Sequence, residues 1–316
     1  MIDQVNEARN RIKDHIRLTD CRRSASLSET ARAEVWLKLE NTQLSGSFKL
    51  RGVMNKLLSL SADDRSRQLV AASTGNHGAA FAHGVTELGL EGLLFLPTKA
   101  SAKKLAAIET SGIPFELVGD DCVETENHAH EFAVKNGCTW VSPYNDPAIV
   151  AGQGTIGADI IEQIDGLDAV LIPVGGGGLA GGIAAFLKTV DPSIEIIGCE
   201  PEASAVMAES VAAGKIVEME SLPTLSDATA GGIEEGSITF DLCRDHVDRW
   251  ERVDEDEIAN AIRFLVENEE MVVEGGAALP VAVMLQRPEV LVGKTVALVI
   301  SGSKIDDAVL AEIMGR

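Results

Sequence analysis

Basic residues are scarce in this 316-residue chain. There are 27 Lys and Arg against 49 Asp and Glu, a formal net charge of −22. A nucleic-acid partner calls for clustered Lys and Arg, and so does docking on an anionic membrane, so both are excluded. Aromatics are few, at 4%. Cys21, Cys122, Cys138, Cys199 and Cys243 are odd in number and form no C-x-x-C pair. Reduced thiols and a cytoplasmic location are expected. The start, MIDQVNEARNRIKDHI, lacks the apolar core of a signal peptide. It reads as an amphipathic helix with Ile2, Val5, Ile12 and Ile16 on one side. Only residues 169–187 approach membrane-span length without a charge. They contain Pro173 and six glycines, so a strand, a turn and a buried helix account for them.

Apolar residues make up 45%, enough for one large domain or two lobes. Short β-rich runs alternate with longer helical ones. Strands are predicted at Val35–Leu39, Leu69–Ala72, Gly92–Leu96, Phe115–Val118, Ala169–Pro173, Ile194–Cys199 and Val296–Ile300. Helices are predicted at Leu50–Leu60, Asn76–Leu88, Ala102–Glu109, Asp121–Lys135, Gln153–Gln163, Leu179–Thr189 and Glu255–Glu267. This alternation implies an α/β fold with mainly parallel sheets. Polar and Gly-rich turns follow the strands, where open α/β sheets gather their ligands.

Four turns carry chemistry. Ser45-Gly46-Ser47-Phe48-Lys49-Leu50-Arg51-Gly52 sets a lysine at the start of a helix. An amine desolvated in a cleft there becomes a nucleophile toward an aldehyde, although most lysines are solvated surface groups. Ser73-Thr74-Gly75-Asn76-His77-Gly78 is a seat for a carboxylate at a helix N-terminus, or a simple helix cap. Gly175-Gly176-Gly177-Gly178 can wrap a phosphate with backbone N–H groups, and a tight turn alone does not need four glycines. The same stretch also spells G-x-G-x-x-G through Gly176, Gly178 and Gly181, with Glu200 after the next strand, so a nicotinamide dehydrogenase competes. Ser301-Gly302-Ser303-Lys304 ends the last strand and alone is only a polar turn. His128 and His130 are two apart and do not share a helix face. Gly293-Lys294-Thr295 lacks the first glycine of a P-loop, where Pro288 stands. Glu116, Asp120 and Asp121 are read as strand-end and helix-start charges.

In order, SFKLRG, STGNHG, AGQGTI, PVGGGGLAGG and SGSK resemble the fold-type II pyridoxal-phosphate enzymes, in the branch of threonine and serine dehydratases and serine racemases. LSDATAGGIEEGSITFDLC resembles a later segment of that branch, so the likeness spans nearly the whole chain. It implies a two-lobed, tryptophan synthase β-like α/β fold, with open, mainly parallel sheets and helices on both faces. Residues 1–51 plus 147–316 would form the large cofactor-binding lobe and 52–146 the small substrate-binding lobe. It also implies pyridoxal 5'-phosphate as cofactor, an amino acid as substrate and a homodimer. Lys49 would carry the cofactor as a Schiff base and act as base at the substrate Cα, with Phe48 beside the cofactor. Gly175, Gly176, Gly177 and Gly178 would hold the phosphate, Asn76 the ring hydroxyl, and Ser301 would face the pyridine nitrogen. Ser73, Thr74, Asn76 and His77 would surround the substrate carboxylate.

A serine opposite the pyridine nitrogen need not keep it protonated, which favours loss of a β-leaving group over transamination. The expected reaction is dehydration and deamination of a hydroxy-amino acid such as L-threonine or L-serine, with racemisation or β-replacement as alternatives. The chain departs from the family at three places. Thr74 stands where relatives often carry Ser or Ala, and where racemases use a serine as the opposite-face acid/base; its added methyl argues against racemisation. Glu200 matches a metal ligand of some relatives, but Val206 stands where they place a carboxylate, so no metal is expected. The chain stops soon after SGSK, so no C-terminal regulatory domain is expected.

Overall fold

The computed structural model describes all residues except Ser101, Asp121 and Arg316, and the side chains of 102–104, 107, 122 and 123 also lie outside the description. The helix-start charge expected at Asp121 and the thiol of Cys122 therefore fall outside the described residues.

Among the described residues, ten strands form two sheets. They are β1 (Cys21–Arg23), β2 (Glu34–Lys38), β3 (Leu69–Ala72), β4 (Gly92–Leu96), β5 (Phe115–Leu117), β6 (Thr139–Trp140), β7 (Ala169–Pro173), β8 (Glu195–Pro201), β9 (Arg249–Val253) and β10 (Thr295–Val299). The six-stranded sheet has the order β1-β2-β10-β7-β8-β9 and the four-stranded sheet β5-β4-β3-β6. Among the described strands only β1 runs antiparallel, against β2. Parallel strands are covered on both faces by their crossover helices and must be apolar throughout. The central strands β3, β4 and β7 are buried at every position, as this requires. The chain is thus an α/β protein with mainly parallel sheets.

The expected strands are present within a residue or two, together with three short edge strands, β1, β6 and β9. The first helix, Ile2–Ile12, buries Val5, Ala8 and Ile12, while Ile16 lies beyond its end. No helix among the described residues is long and apolar enough to cross a membrane; β7 and the helix Gly178–Val190 account for the uncharged run.

The helix that begins at Lys49 is set by close backbone packing. It runs Lys49–Ser59 and crosses the helix Pro147–Gln163 at Gly52 and Gly152. A Cβ on Gly152 would lie 2.6 Å from the Arg51 carbonyl oxygen, and one on Gly52 would lie 2.9 Å from that of Ile149. The glycines of the AGQGTI segment thereby fix the direction in which the Lys49 helix enters the space between the sheets.

Candidate active site

The four motif turns meet at the C-terminal ends of β2, β3, β7 and β10. The Phe48 N–H donates to the Ser301 carbonyl (3.0 Å), and the Ser303 N–H to that of Gly46 (3.0 Å). A bridge between Ser47 and Gly302 completes this zipper, so the lysine turn and the serine turn move as one piece. The Lys49 amine donates to the Pro143 carbonyl at 2.7 Å, in the loop between β6 and the Pro147–Gln163 helix. The neighbouring Tyr144 ring packs on the glycine turn, where a Cβ on Gly176 would come within 2.6 Å of it. Lys49 and Gly176 are thus joined through two consecutive residues.

Lys49 is half-buried, with its amine 5.3 Å from the Phe48 ring centroid. Burial lowers its pKa to about 8, against the opposing pull of the Glu126 and Glu274 charges. An appreciable fraction of the amine is therefore neutral at pH 7, as a nucleophile toward an aldehyde requires.

The glycine turn opens the helix Gly178–Val190, with Gly177 at φ +81° as its N-cap and no side chain capping it. Only glycine adopts that conformation without strain. Thr239 Oγ1 donates to the Gly176 carbonyl at 2.6 Å, which holds the carbonyl back from the turn's N–H face. Those N–H groups sit at the positive end of a helix, a setting suited to a phosphate.

The turn after β3 does not cap its helix through a side chain. The N-cap of Asn76–Leu88 is Gly75, and no side chain bonds the first turn. Ser73 Oγ accepts instead from the Gly75 N–H at 3.0 Å, which shapes the loop and leaves the helix N–H groups to an anion. Thr74 is half-exposed at this loop. His77 is buried, and its Nε2 donates to the Val141 carbonyl at 2.9 Å, leaving Nδ1 as an acceptor without a partner among the described residues. Burial, together with the Lys49 charge, pushes its pKa down to about 3, so the ring is neutral. Ser301 is buried at the end of β10.

Several groups at the site carry no motif. Glu274 accepts two hydrogen bonds from Asn76 Nδ2, at 2.7 and 2.8 Å. Glu126, whose charge acts on Lys49, is raised to about 7 by burial and then by the charge of Glu234. The Tyr144 hydroxyl accepts from the Glu234 N–H at 3.0 Å, and Asn145 Nδ2 donates to the Glu234 carboxylate at 2.6 Å. The one available signal for Glu274 was its place just before a Gly-Gly helix start. Tyr144 is the chain's single tyrosine, in a Pro-Tyr-Asn turn.

Glu200 is turned away from the role a dinucleotide would need. Its carboxylate accepts from the Met207 N–H (3.0 Å) and the Ala208 N–H (2.8 Å), at the start of the helix Val206–Ala213. No ribose contact is left for it, and the dehydrogenase reading loses its acidic residue.

A lysine amine of lowered pKa, a glycine turn that opens a helix without a side-chain cap, and the buried Asn76 Oδ1 and His77 Nδ1, unpartnered among the described residues, fit one kind of occupant. It would be an aldehyde with an anionic phosphate and a polar ring. The fold and the site thus define an α/β enzyme built around a phosphorylated aldehyde cofactor. Residues 12–302 match the model of the pyridoxal-phosphate dependent enzyme family, and the chain belongs to that family. It is 37% identical over 315 residues to an L-threonine ammonia-lyase of Thermotoga maritima, covering 100% of this chain and 78% of that one. It is 35% identical over 316 residues to the catabolic L-threonine dehydratase of Escherichia coli, covering 99% and 96%. Among solved structures it is similar to maize serine racemase, with a TM-score of 0.92 and 28% identity over 99% of this chain and 96% of that one.

Proposed function

We propose that this enzyme eliminates the β-hydroxyl of a 3-hydroxy amino acid such as L-threonine or L-serine as water, after which one water hydrolyses the resulting imine to a 2-oxo acid and ammonia. Support comes from the dehydratase relatives and from one observation above all. Half-buried Lys49, with its lowered pKa, donates to Pro143 beside the Tyr144 ring that packs on the glycine turn, and its turn is zipped to that of Ser301. Pyridoxal phosphate, when bound, supplies an aldehyde carbon and a conjugated ring that draws electrons from the substrate Cα.

The residues divide the remaining work. Gly175 to Gly178 hold the phosphate with their N–H groups. The uncapped start of the Asn76–Leu88 helix, with Ser73 and Thr74, holds the substrate carboxylate. His77, kept neutral, adds no competing charge there. The Lys49 amine would hold the cofactor's aldehyde carbon and, when free, would take the proton from the substrate Cα. Ser301 would face the cofactor's pyridine nitrogen without the charge that would favour transamination. The net change converts the Cα–H, the β-hydroxyl and the amine of the substrate into a ketone, ammonia and a new β C–H.

Purified enzyme loaded with cofactor, offered L- and D-serine, L-threonine and the 3-hydroxyaspartates, should release keto acid and ammonia in equal amounts. Lys49→Ala should lower that rate by at least about a hundredfold, as loss of a general base does. Unchanged release by Lys49→Ala would sink the proposal. The likeness to serine racemase and the hydroxyl of Thr74 carry a second reading, racemisation, which would yield D-serine without keto acid.

Two lobes fit the two sheets, 1–51 plus 147–316 holding the cofactor and 52–146 closing over the substrate. The unpaired thiols of Cys21, Cys138, Cys199 and Cys243 suit the cytoplasm. A homodimer is proposed on family likeness, with sedimentation as its test.

A further inference from the structure

Glu274 is buried immediately before the helix Gly275–Gln286. Its backbone N–H donates to the Gly302 carbonyl at 3.3 Å. Its carboxylate lies against the turn that carries Ser301, since a Cβ on Gly302 would fall within 2.7 Å of the carboxyl carbon. Asn76 reaches it from the other sheet, with Nδ2 directed at both carboxylate oxygens. An ionised carboxylate only accepts hydrogen bonds, so it can bind only the Nδ2 end of the amide. The opposite end, Asn76 Oδ1, is left buried with no partner among the described residues. A buried acceptor without a donor is costly, and it marks a place where a donor from outside the chain is expected.

We infer that Glu274 is a positioning residue that selects which end of the Asn76 amide meets the cofactor's ring hydroxyl, and so whether that hydroxyl keeps its proton. The inference rests on the reading that Asn76 faces this hydroxyl. With Glu274 ionised, Asn76 offers Oδ1, and the hydroxyl must donate to it and stays protonated. With Glu274 protonated, the carboxyl O–H donates to Oδ1 and the amide turns over. Nδ2 then donates to the ring oxygen and favours its deprotonated form.

The groups around Glu274 place the change near neutrality. Burial raises it to about 7, and Asp227 acts in the same direction. The hydrogen bond from Asn76, the Lys304 backbone N–H and the Lys304 charge oppose the rise. Lys49 faces it across the site, and each charge favours the other. The expected direction is the reverse of a free phenol. Here the deprotonated ring oxygen recedes as pH rises through about 7.

The test is the absorbance of substrate-free holoenzyme on either side of that midpoint. The long-wavelength band of the deprotonated ring should fall several-fold relative to the short-wavelength band as pH rises. Glu274→Gln, which cannot titrate, should give a ratio that no longer depends on pH over this range. Glu274→Asp should keep the dependence with a moved midpoint. A wild-type ratio that moves the opposite way overturns the inference, even if Glu274→Gln does not fold. A Glu274→Gln enzyme that titrates like wild type overturns it as well. Asn76→Ala separates the two levels. If it leaves the wild-type ratio untouched, Asn76 does not face the hydroxyl and the underlying site reading fails. If it shifts the ratio while Glu274→Gln does not, only the role of Glu274 fails.

Discussion

Arg51 shows how much of the site's support is invisible in a motif. It is two residues past Lys49 and almost wholly buried. Its guanidinium bonds both carboxylate oxygens of Glu40, at 2.9 and 2.8 Å, and Thr155 at 3.0 Å, and pairs with Asp159 at 2.7 Å. Lys38, fully buried, pairs with the same Asp159 at 3.4 Å. Two cations thus balance two carboxylates in the core behind the lysine turn. Burial works to raise Glu40, but the Arg51 charge and hydrogen bond hold it below its ordinary value. Removing one partner of such a cluster costs about 3–5 kcal/mol, because the remaining charge stays buried. Arg51→Met is expected to lose that much in urea unfolding. Adding Glu40→Gln should recover part of the loss, whereas strictly additive losses would show that the two do not act as a pair. The sequence showed Lys49, Asn76 and Ser301 because glycine and small polar neighbours flank each of them after an apolar strand. It placed Arg51 in the SFKLRG run without indicating its buried partners, and gave no comparable sign of Glu274, which meets Asn76 across 198 positions.

Elements were legible where burial is two-sided. β3, β4, β7 and the core of β8 and β10 are unbroken apolar runs, and each was found. β1, β6 and β9 were not: CRR and RWERV are edge strands dominated by charge and TW is only two residues long, whereas the edge strand β5 was found through its Phe115 and Val118 flanks. The helix Gly275–Gln286 was missed for the opposite reason. It is buried on nearly all sides, so it has no amphipathic period, and Pro280 sits inside it. The AGQGTI segment was recognised as a likeness, but its reason is packing. Gly152 meets the Arg51 carbonyl, and a Cβ on Gly154 would lie 3.0 Å from the carbonyl of Gly182. Backbone atoms cannot yield as a flexible side-chain end does, so Gly152→Ala must separate two helices. Overpacking of this kind costs about 1–3 kcal/mol. The variant should melt several degrees lower, and because the Lys49 helix is the one displaced, it should also release cofactor more readily on dialysis. A lower melting temperature with unchanged cofactor retention would show that the lysine turn is held by its zipper to Ser301 and not by this crossing.

The whole molecule buries titratable groups whose shifts do not cancel. Burial, with smaller contributions from neighbours, raises Glu126, Glu200 and Glu274 to about 7 from 4.5. Between those values the folded chain binds protons that the unfolded chain has released, so all three lose stability as pH rises from 4.5 to about 7. His77 acts in the opposite sense. Its folded value of about 3 lies below its ordinary 6.5, so the unfolded chain binds the extra proton and stability rises with pH across that interval. Three falling contributions against one rising leave a net decline, on the order of 1 kcal/mol per pH unit after allowance for relaxation. Glu40, held low, loses its contribution only below its ordinary 4.5 and does not alter this window. Through and above about 7 the three carboxylates complete their ionisation and the decline levels off. The cofactor-free protein should therefore melt higher near pH 5.5 than near pH 7.5, the reverse of a protein whose carboxylates are all held by cations. The net charge of −22 adds a repulsion that also grows with pH. Calorimetry at high salt, which screens that long-range part and leaves buried groups little affected, separates the two causes. The difference should persist in salt and shrink by about a third of its carboxylate share in Glu200→Gln, a group outside the lysine turn. Equal melting temperatures at the two pH values in salt would mean that these carboxyls are not desolvated as their burial implies.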